Sequence, residues 1–212
     1  MSIPAPPRPE IPNLAELPLV IDTPRLQLRP IALSDVDDLY AHASDPEVAR
    51  MMSWNAHADR DVTREYVERQ LATRAAGTDL AWAIVQGGRA FGCIALVQIE
   101  WAFRAWRLDR AELGYWMGRP MWGQGYMTEA ATAATRWAFE TLGLHKVTIG
   151  CVDGNHASKR VIEKIGFRYL STAEDDVWRD GRWWSHLHFE MTAAEWADTA
   201  RTLNFNRPRP PT

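Results

Sequence analysis

Residues 110–141 read RAELGYWMGRPMWGQGYMTEAATAATRWAFET, a stretch with three consecutive parts. Residues 111–117 form an apolar strand, residues 118–125 a glycine-rich turn, and a helix begins near Tyr126 to Thr128 and runs to about Thr141. A strand that feeds a Gly-x-Gly turn at a helix start builds an anion site. The first-turn N–H groups have no partner within the helix, and the helix dipole favours negative charge there. A ligand bearing phosphate is therefore expected at Gly123, Gln124 and Gly125.

What the turn lacks narrows the ligand. A Walker A loop needs Lys followed by Ser or Thr after its last glycine, whereas Gly125 is followed by Tyr126 and Met127. A dinucleotide fingerprint needs a third glycine where Thr128 stands, and an acid about twenty residues on. What remains, Gly-x-Gly-Tyr-x-Thr-Glu-Ala after Glu-Leu-Gly-Tyr-Trp, resembles the acetyl-CoA pyrophosphate loop of the GNAT superfamily of N-acetyltransferases. It is most similar to the branch that acetylates ribosomal-protein N-termini. The resemblance takes in Thr23-Pro-Arg-Leu-Gln-Leu-Arg-Pro, Ser44-Asp-Pro-Glu-Val, the central stretch, Gly154-Asn-His-Ala-Ser through Ile165-Gly-Phe, and Asp180-Gly-Arg-Trp-Trp, about residues 22–195. It implies an α/β (α+β) GNAT fold, in which a central mixed, mostly antiparallel sheet is flanked by helices on both faces. It also implies acetyl-CoA as cosubstrate, a primary amine as acceptor, and no metal.

Composition sets bounds around this. A net charge of −3 over 212 residues gives no basic face for nucleic acid and no polybasic membrane patch. Cys93 and Cys151 sit inside apolar runs and read as small buried hydrophobes in a reducing compartment. The N-terminus lacks a charged segment followed by an apolar one, and no run of eighteen apolar residues occurs, so a cytoplasmic protein is expected. Residues 1–18 hold six prolines and read as a mobile or loosely docked arm, 19–205 as one acetyltransferase domain, and 206–212 as a frayed end.

Outward from the centre, residues 25–29 alternate as a first strand, Ser34 is placed to cap a helix that ends at Asp45-Pro46, and residues 59–76 form an amphipathic helix stopped by Gly77. Residues 80–86 and 90–100 are strands joined at Gly87-Gly88. Residues 101–109, with Trp101, Phe103 and Trp106, read as an aromatic connection that lines a substrate groove or forms a homodimer surface. Residues 146–152 are a buried strand, 155–165 a helix capped by Gly166, and the runs 167–172, 175–178 and 182–191 are strands with a hairpin turn at Asp180-Gly181. Thr192 to Glu195 has capping-box spacing for a short last helix.

Acetyl transfer from a thioester to an amine needs positioning, removal of an ammonium proton, a stabilised oxyanion and a leaving thiolate. The N–H groups around Gly123, Gln124, Gly125, Tyr126, Met127 and Thr128 are expected to cradle the pyrophosphate, the glycines letting the main chain approach. The resemblance assigns the strand edge at Trp116 and Met117 to the pantetheine arm. It likewise places Asn155 and Ser158 beside the cofactor, with Asn155 alternatively a helix cap. Two departures stand out: Pro120 fills a position usually held by Gln or Arg, and Ile162 replaces the Tyr that usually protonates the thiolate. Ser158 or a water is then the expected donor, and Glu112 the expected base. Met51, Met52, Trp54 and His57 either wall the acceptor site or form an ordinary loop. His186 and His188 alternate along one strand, but with no Asp, Cys or third His at compatible spacing they read as packing or as a wall of the acceptor site.

The acceptor is expected to be a protein N-terminal α-amine, whose pKa of about 8 asks less of a base than a lysine near 10.4. A small-molecule amine is the alternative within enzymes. A catalytically silent acyl-CoA sensor is the alternative from another class.

Overall fold

The computed structural model describes residues 11–202; the first part of the proline-rich arm and the expected frayed end at 206–212 lie outside them. Eight strands make one sheet in the order β1-β2-β3-β4-β5-β6-β8-β7. They are β1 (Ile21–Asp22), β2 (Gln27–Pro30), β3 (Leu80–Gln86), β4 (Arg89–Phe103), β5 (Trp106–Met117), β6 (Lys146–Val152), β7 (Arg168–Arg179) and β8 (Arg182–Thr192). Every pairing is antiparallel except β5 with β6. The helices are α1 (Val36–Ala43), the one-turn α2 (Pro46–Ala49), α3 (Arg60–Ala76), α4 (Tyr126–Glu140), α5 (His156–Ile165) and α6 (Ala193–Thr202).

Strand alternation decides which helices cover which face. On β3, Leu80, Trp82 and Ile84 enter one core with Ala130, Ala131, Ala134 and Ala138 of α4 and Ile162 and Ile165 of α5. The intervening Ala81, Ala83 and Val85 enter a second core with Val36 and Leu39 of α1 and Val67 of α3. The central strands are buried on both sides, which is why they read as continuous apolar runs. A mixed, mostly antiparallel sheet with helices on both faces is what the resemblance implied. Among the described residues, no helix is long and apolar enough to cross a membrane.

Several local expectations hold with their chemistry visible. Gly87 and Gly88 both adopt positive φ, as do Asp180 and Gly181, which is the backbone a two-residue hairpin requires. Asp59 caps α3 through the N–H groups of Asp61 and Val62, and Thr192 and Glu195 cap α6 reciprocally.

Others are corrected. Ser34 is not the cap of α1; the neighbouring Asp35 accepts from the Ala32 N–H and pairs bidentately with Arg29. The helix end expected at Asp45-Pro46 holds, α1 stopping at Ala43, and Asp45 in addition starts α2, accepting from the Glu47 N–H with Pro46 in the first helical position. Residues 101–109 are not a loose connection, because β4 and β5 continue as one hairpin to Phe103 and Trp106. β7 is one bulged strand rather than two. The arm is seated from Leu14 onward: Leu14 is buried, and the Pro18 and Leu19 carbonyls accept from the indoles of Trp137 and Trp82.

Candidate active site

β5 and β6 run parallel but pair only where Arg110, Ala111 and Glu112 meet Lys146, Val147 and Thr148. Beyond Glu112 the strands part, while β5 stays paired to β4 and β6 to β8. The N-terminus of α5 stands across the open end of this fork. There the Tyr115 phenol lies 3.0 Å from the Ser158 hydroxyl and 3.3 Å from the Ser158 carbonyl.

On the α4 side of the fork lies a cavity of about 470 Å³. Trp116, Met117, Gly123, Gly125, Tyr126, Met127, Thr128, Asn155 and Ser158 line it. Gly125 adopts φ 79° as the N-cap of α4 and has no side chain to cap it, which leaves first-turn N–H groups for a ligand beside the cavity that Tyr126, Met127 and Thr128 line. This suits a phosphate. Arg25 braces the turn beside it: its guanidinium lies 4.4 Å from the centre of the Tyr126 ring, donates to the Gln124 carbonyl and pairs with Glu129, so its charge is already matched. Gln124 alone among the expected cofactor residues does not line the cavity. Its side chain turns back to donate to the Pro120 carbonyl. Arg119 does not replace the side chain missing at Pro120 but pairs with Asp45.

Glu129, in the first turn of α4, does more than complement the helix dipole. It accepts from the Thr23 hydroxyl at 2.7 Å, the Arg25 N–H at 2.9 Å and the Arg25 Nε at 2.6 Å, so α4 is tied to the segment between β1 and β2. Burial works to raise its pKa, yet the Thr23 and Arg25 hydrogen bonds and the Arg25 charge outweigh it and hold the carboxyl below its ordinary value.

Asn155 accepts from the Ser158 N–H and so caps α5, while also lining both cavities. The second cavity, about 690 Å³, opens on the α1 and α3 face, and Glu112, Gly114, Trp116, Gly150, Arg179, Trp184 and His186 are among its walls. Met51, Met52 and Trp54 wall it as well; His57 does not, being buried and bonded to Thr63. From the tip of β7 the Arg179 guanidinium donates to the Met52 and Trp54 carbonyls, fastening this loop to the hairpin. Trp101, Phe103 and Trp106 wall neither cavity. Met51, Met52, Tyr115, Trp116, Asn155 and Ser158 belong to both, so the cavities meet at the Tyr115–Ser158 contact.

Tyr115 makes a contact with Ser158 that sequence reasoning missed, the two lying 43 residues apart. Burial pushes its pKa up against the Ser158 hydrogen bond, so the phenol keeps its proton. His186 is held below its ordinary pKa first by burial and then by His188, against the charges of Asp176 and Glu112. The absence of a third metal-binding group beside the histidines is also corrected: Asp176 comes within 3.6 Å of His186 Nδ1. Burial raises the Cys93 thiol to about 12 and the Cys151 thiol to about 11, so neither is a thiolate at neutral pH.

The sequence pattern described as "Acetyltransferase (GNAT) domain" matches residues 25–168. An uncharacterised N-acetyltransferase of Bacillus licheniformis is 25% identical over 82% of this chain and 97% of its own length. The [ribosomal protein uS5]-alanine N-acetyltransferase of Escherichia coli is 32% identical, over 40% of this chain and 43% of that protein. Several such relatives are matched over only about half their own length. A ribosomal α-N-protein acetyltransferase solved in complex with coenzyme A superimposes with a TM-score of 0.73 at 20% identity, covering 82% of this chain and 97% of that one. With a forked sheet, an uncapped helix after a Gly-x-Gly turn and this match over most of the sequence, the chain belongs to the GNAT family of acetyl-CoA-dependent N-acetyltransferases.

Proposed function

We propose that this chain moves acetyl from acetyl-CoA to a protein N-terminal α-amine, by direct attack in a ternary complex. The observation that carries the proposal is the meeting of two cavities at the open end of the β5–β6 fork: one suits a phosphate-bearing thioester, and the other gives an amine access to the same point. The N–H groups of Gly125, Tyr126, Met127 and Thr128 hold the pyrophosphate. Trp116 and Met117 offer their strand edge to the pantetheine amides, and Asn155 borders the same path.

Glu112 lies on the acceptor side, where it takes the ammonium proton directly or through water. The freed nitrogen lone pair attacks the thioester carbonyl to give a tetrahedral adduct, the carbon–sulfur bond breaks as the adduct collapses, and the second proton shed by the nitrogen ends on the departing thiolate, leaving a neutral amide and the free thiol of CoA. Ser158 donates a hydrogen bond to the departing sulfur, its own oxygen steadied by the Tyr115 phenol. A thiol with a pKa of about 8.5 needs little more help to leave. Neither cysteine offers a thiolate for a covalent acetyl-enzyme, which supports direct attack.

The α-amine is favoured over a lysine because the base is a single carboxylate, and the name of the uS5-alanine relative points the same way. A small-molecule amine is the second reading. It is favoured by the match, 27% identical over 83% of this chain, to an FsC-acetyl coenzyme A-N(2)-transacetylase of Aspergillus fumigatus. The deciding experiment follows free CoA release with N-terminal peptides beside amino acids, polyamines and other small amines. Turnover confined to small amines overturns the acceptor assignment. CoA binding without turnover on any amine makes the protein a sensor instead.

A further inference from the structure

On the sheet face that carries Glu112, three groups outside the proposed chemistry converge. His186 and His188 are two apart on β8, so both rings project to one side, with centroids 4.6 Å apart. Asp176 reaches them from β7. In regular pairing it would not, and a bulge brings it there: between the Ala173–His186 and Val177–Trp184 pairs, β7 carries three residues where β8 carries one. Asp175, inside the bulge, takes the left-handed φ of 50°, an uncommon conformation for a residue with a side chain. Position 150 on β6 contributes by lacking a side chain, since a Cβ there would come within 2.6 Å of His186 Nε2.

We propose that Asp176, His186 and His188 form a binding site for a divalent first-row transition ion such as Zn2+ or Co2+. One ligand atom from each lies within 4.8 Å of the other two. Adjacent ligands of a tetrahedral ion with bonds of 2.0–2.1 Å stand roughly 3.4 Å apart, so modest side-chain rotation closes the set. Rotation is available, because the side chains of His186 and Asp176 are 26% and 42% exposed. Two imidazoles and one carboxylate suit Zn2+, Co2+ or Ni2+ and not Mg2+ or Ca2+, which take oxygen ligands. Water completes the coordination on the solvent side. The site borders the second cavity through His186, so an ion held there alters the charge met by an entering amine.

The test needs no acyl-CoA and is independent of the acetyl-transfer proposal. Chelator-treated full-length protein is titrated with Co2+, followed by visible absorption, and with Zn2+, followed by calorimetry. One ion per chain is expected, with no competition from Mg2+. Asp176→Asn and His188→Ala should each weaken binding by about 10- to 100-fold or more, while His145→Ala leaves it unchanged. In the unaltered chain, imidazole nitrogen resonances during the Zn2+ titration should move for His186 and His188 ahead of the other histidines. That measurement stands even if a variant misfolds. Equal affinity in the wild type and Asp176→Asn, movement of other histidines first, or no binding at all overturns the site.

Discussion

Tyr115 and Ser158, 43 residues apart in sequence, meet hydroxyl to hydroxyl at 3.0 Å across the open end of the sheet. Burial favours the protonated phenol, which has a hydrogen to donate and the Ser158 carbonyl also within reach. Tyr115→Phe keeps the ring and deletes the donor. The expected result is a fall in kcat of about tenfold, comparable with one hydrogen bond of about 1–1.5 kcal/mol, with KM for acetyl-CoA unchanged. An unchanged kcat in a less stable protein would make the contact structural only. Steady-state kinetics beside a melting curve separates the two.

Glu112→Gln preserves shape and removes the base. Acetyl-CoA affinity should hold while kcat falls by roughly 10²- to 10⁴-fold. The loss should shrink as pH rises past the acceptor's own pKa of about 8, where the amine is already neutral. Full activity of the variant at every pH would move the base to water or to His186.

Gly125 carries a backbone demand as well as a place for phosphate. The backbone at φ 79° strains any side chain, and a Cβ would otherwise meet only Arg25, at 3.5 Å. Gly125→Ala should therefore lower stability by about 1–2 kcal/mol as well as weaken CoA binding. Gly125→Asn should recover part of the stability, since Asn tolerates the left-handed region better. Equal denaturation midpoints for Gly125→Ala and wild type would contradict the strain.

The Glu129 carboxyl has its pKa depressed below an ordinary value of about 4.5. A depressed acid contributes stability that is fully present above its unfolded pKa and is lost as pH falls through its folded one. Glu129→Gln should thus be less stable than wild type at neutral pH, and the two denaturation curves should converge as the medium is acidified below about pH 4. A difference that persisted undiminished in strong acid would locate the effect elsewhere.

The segment from β5 through α4 was legible because each signal is local: alternation, paired glycines, then a helical period. Asn155 capping α5 and Gly166 ending it are equally local. What escaped depended on contacts distant in sequence or on turns without their usual residues. Arg104 closes the β4–β5 hairpin at φ 55° with no Gly or Asn to announce it, so the aromatic stretch looked like a loop. Asp176 joins the histidines only because of a bulge, which alternation cannot foretell. Ser34 and Asp35 both had capping chemistry, yet neither side chain caps α1, because the Asp35 carboxylate turns to Arg29 and the Ala32 N–H.

The three-residue seam between β5 and β6 leaves the inner edges of both strands without a ladder partner past Glu112 and Thr148, so the two halves of the sheet are stitched at one end only. A ligand with its own amides, lying between them, becomes a rung of the sheet itself. If the proposed cosubstrate lies there, cohesion of the domain is partly on loan from what it binds: the halves would be most tightly joined while the fork is filled, and each departure of product would loosen the same seam that the next cosubstrate must close.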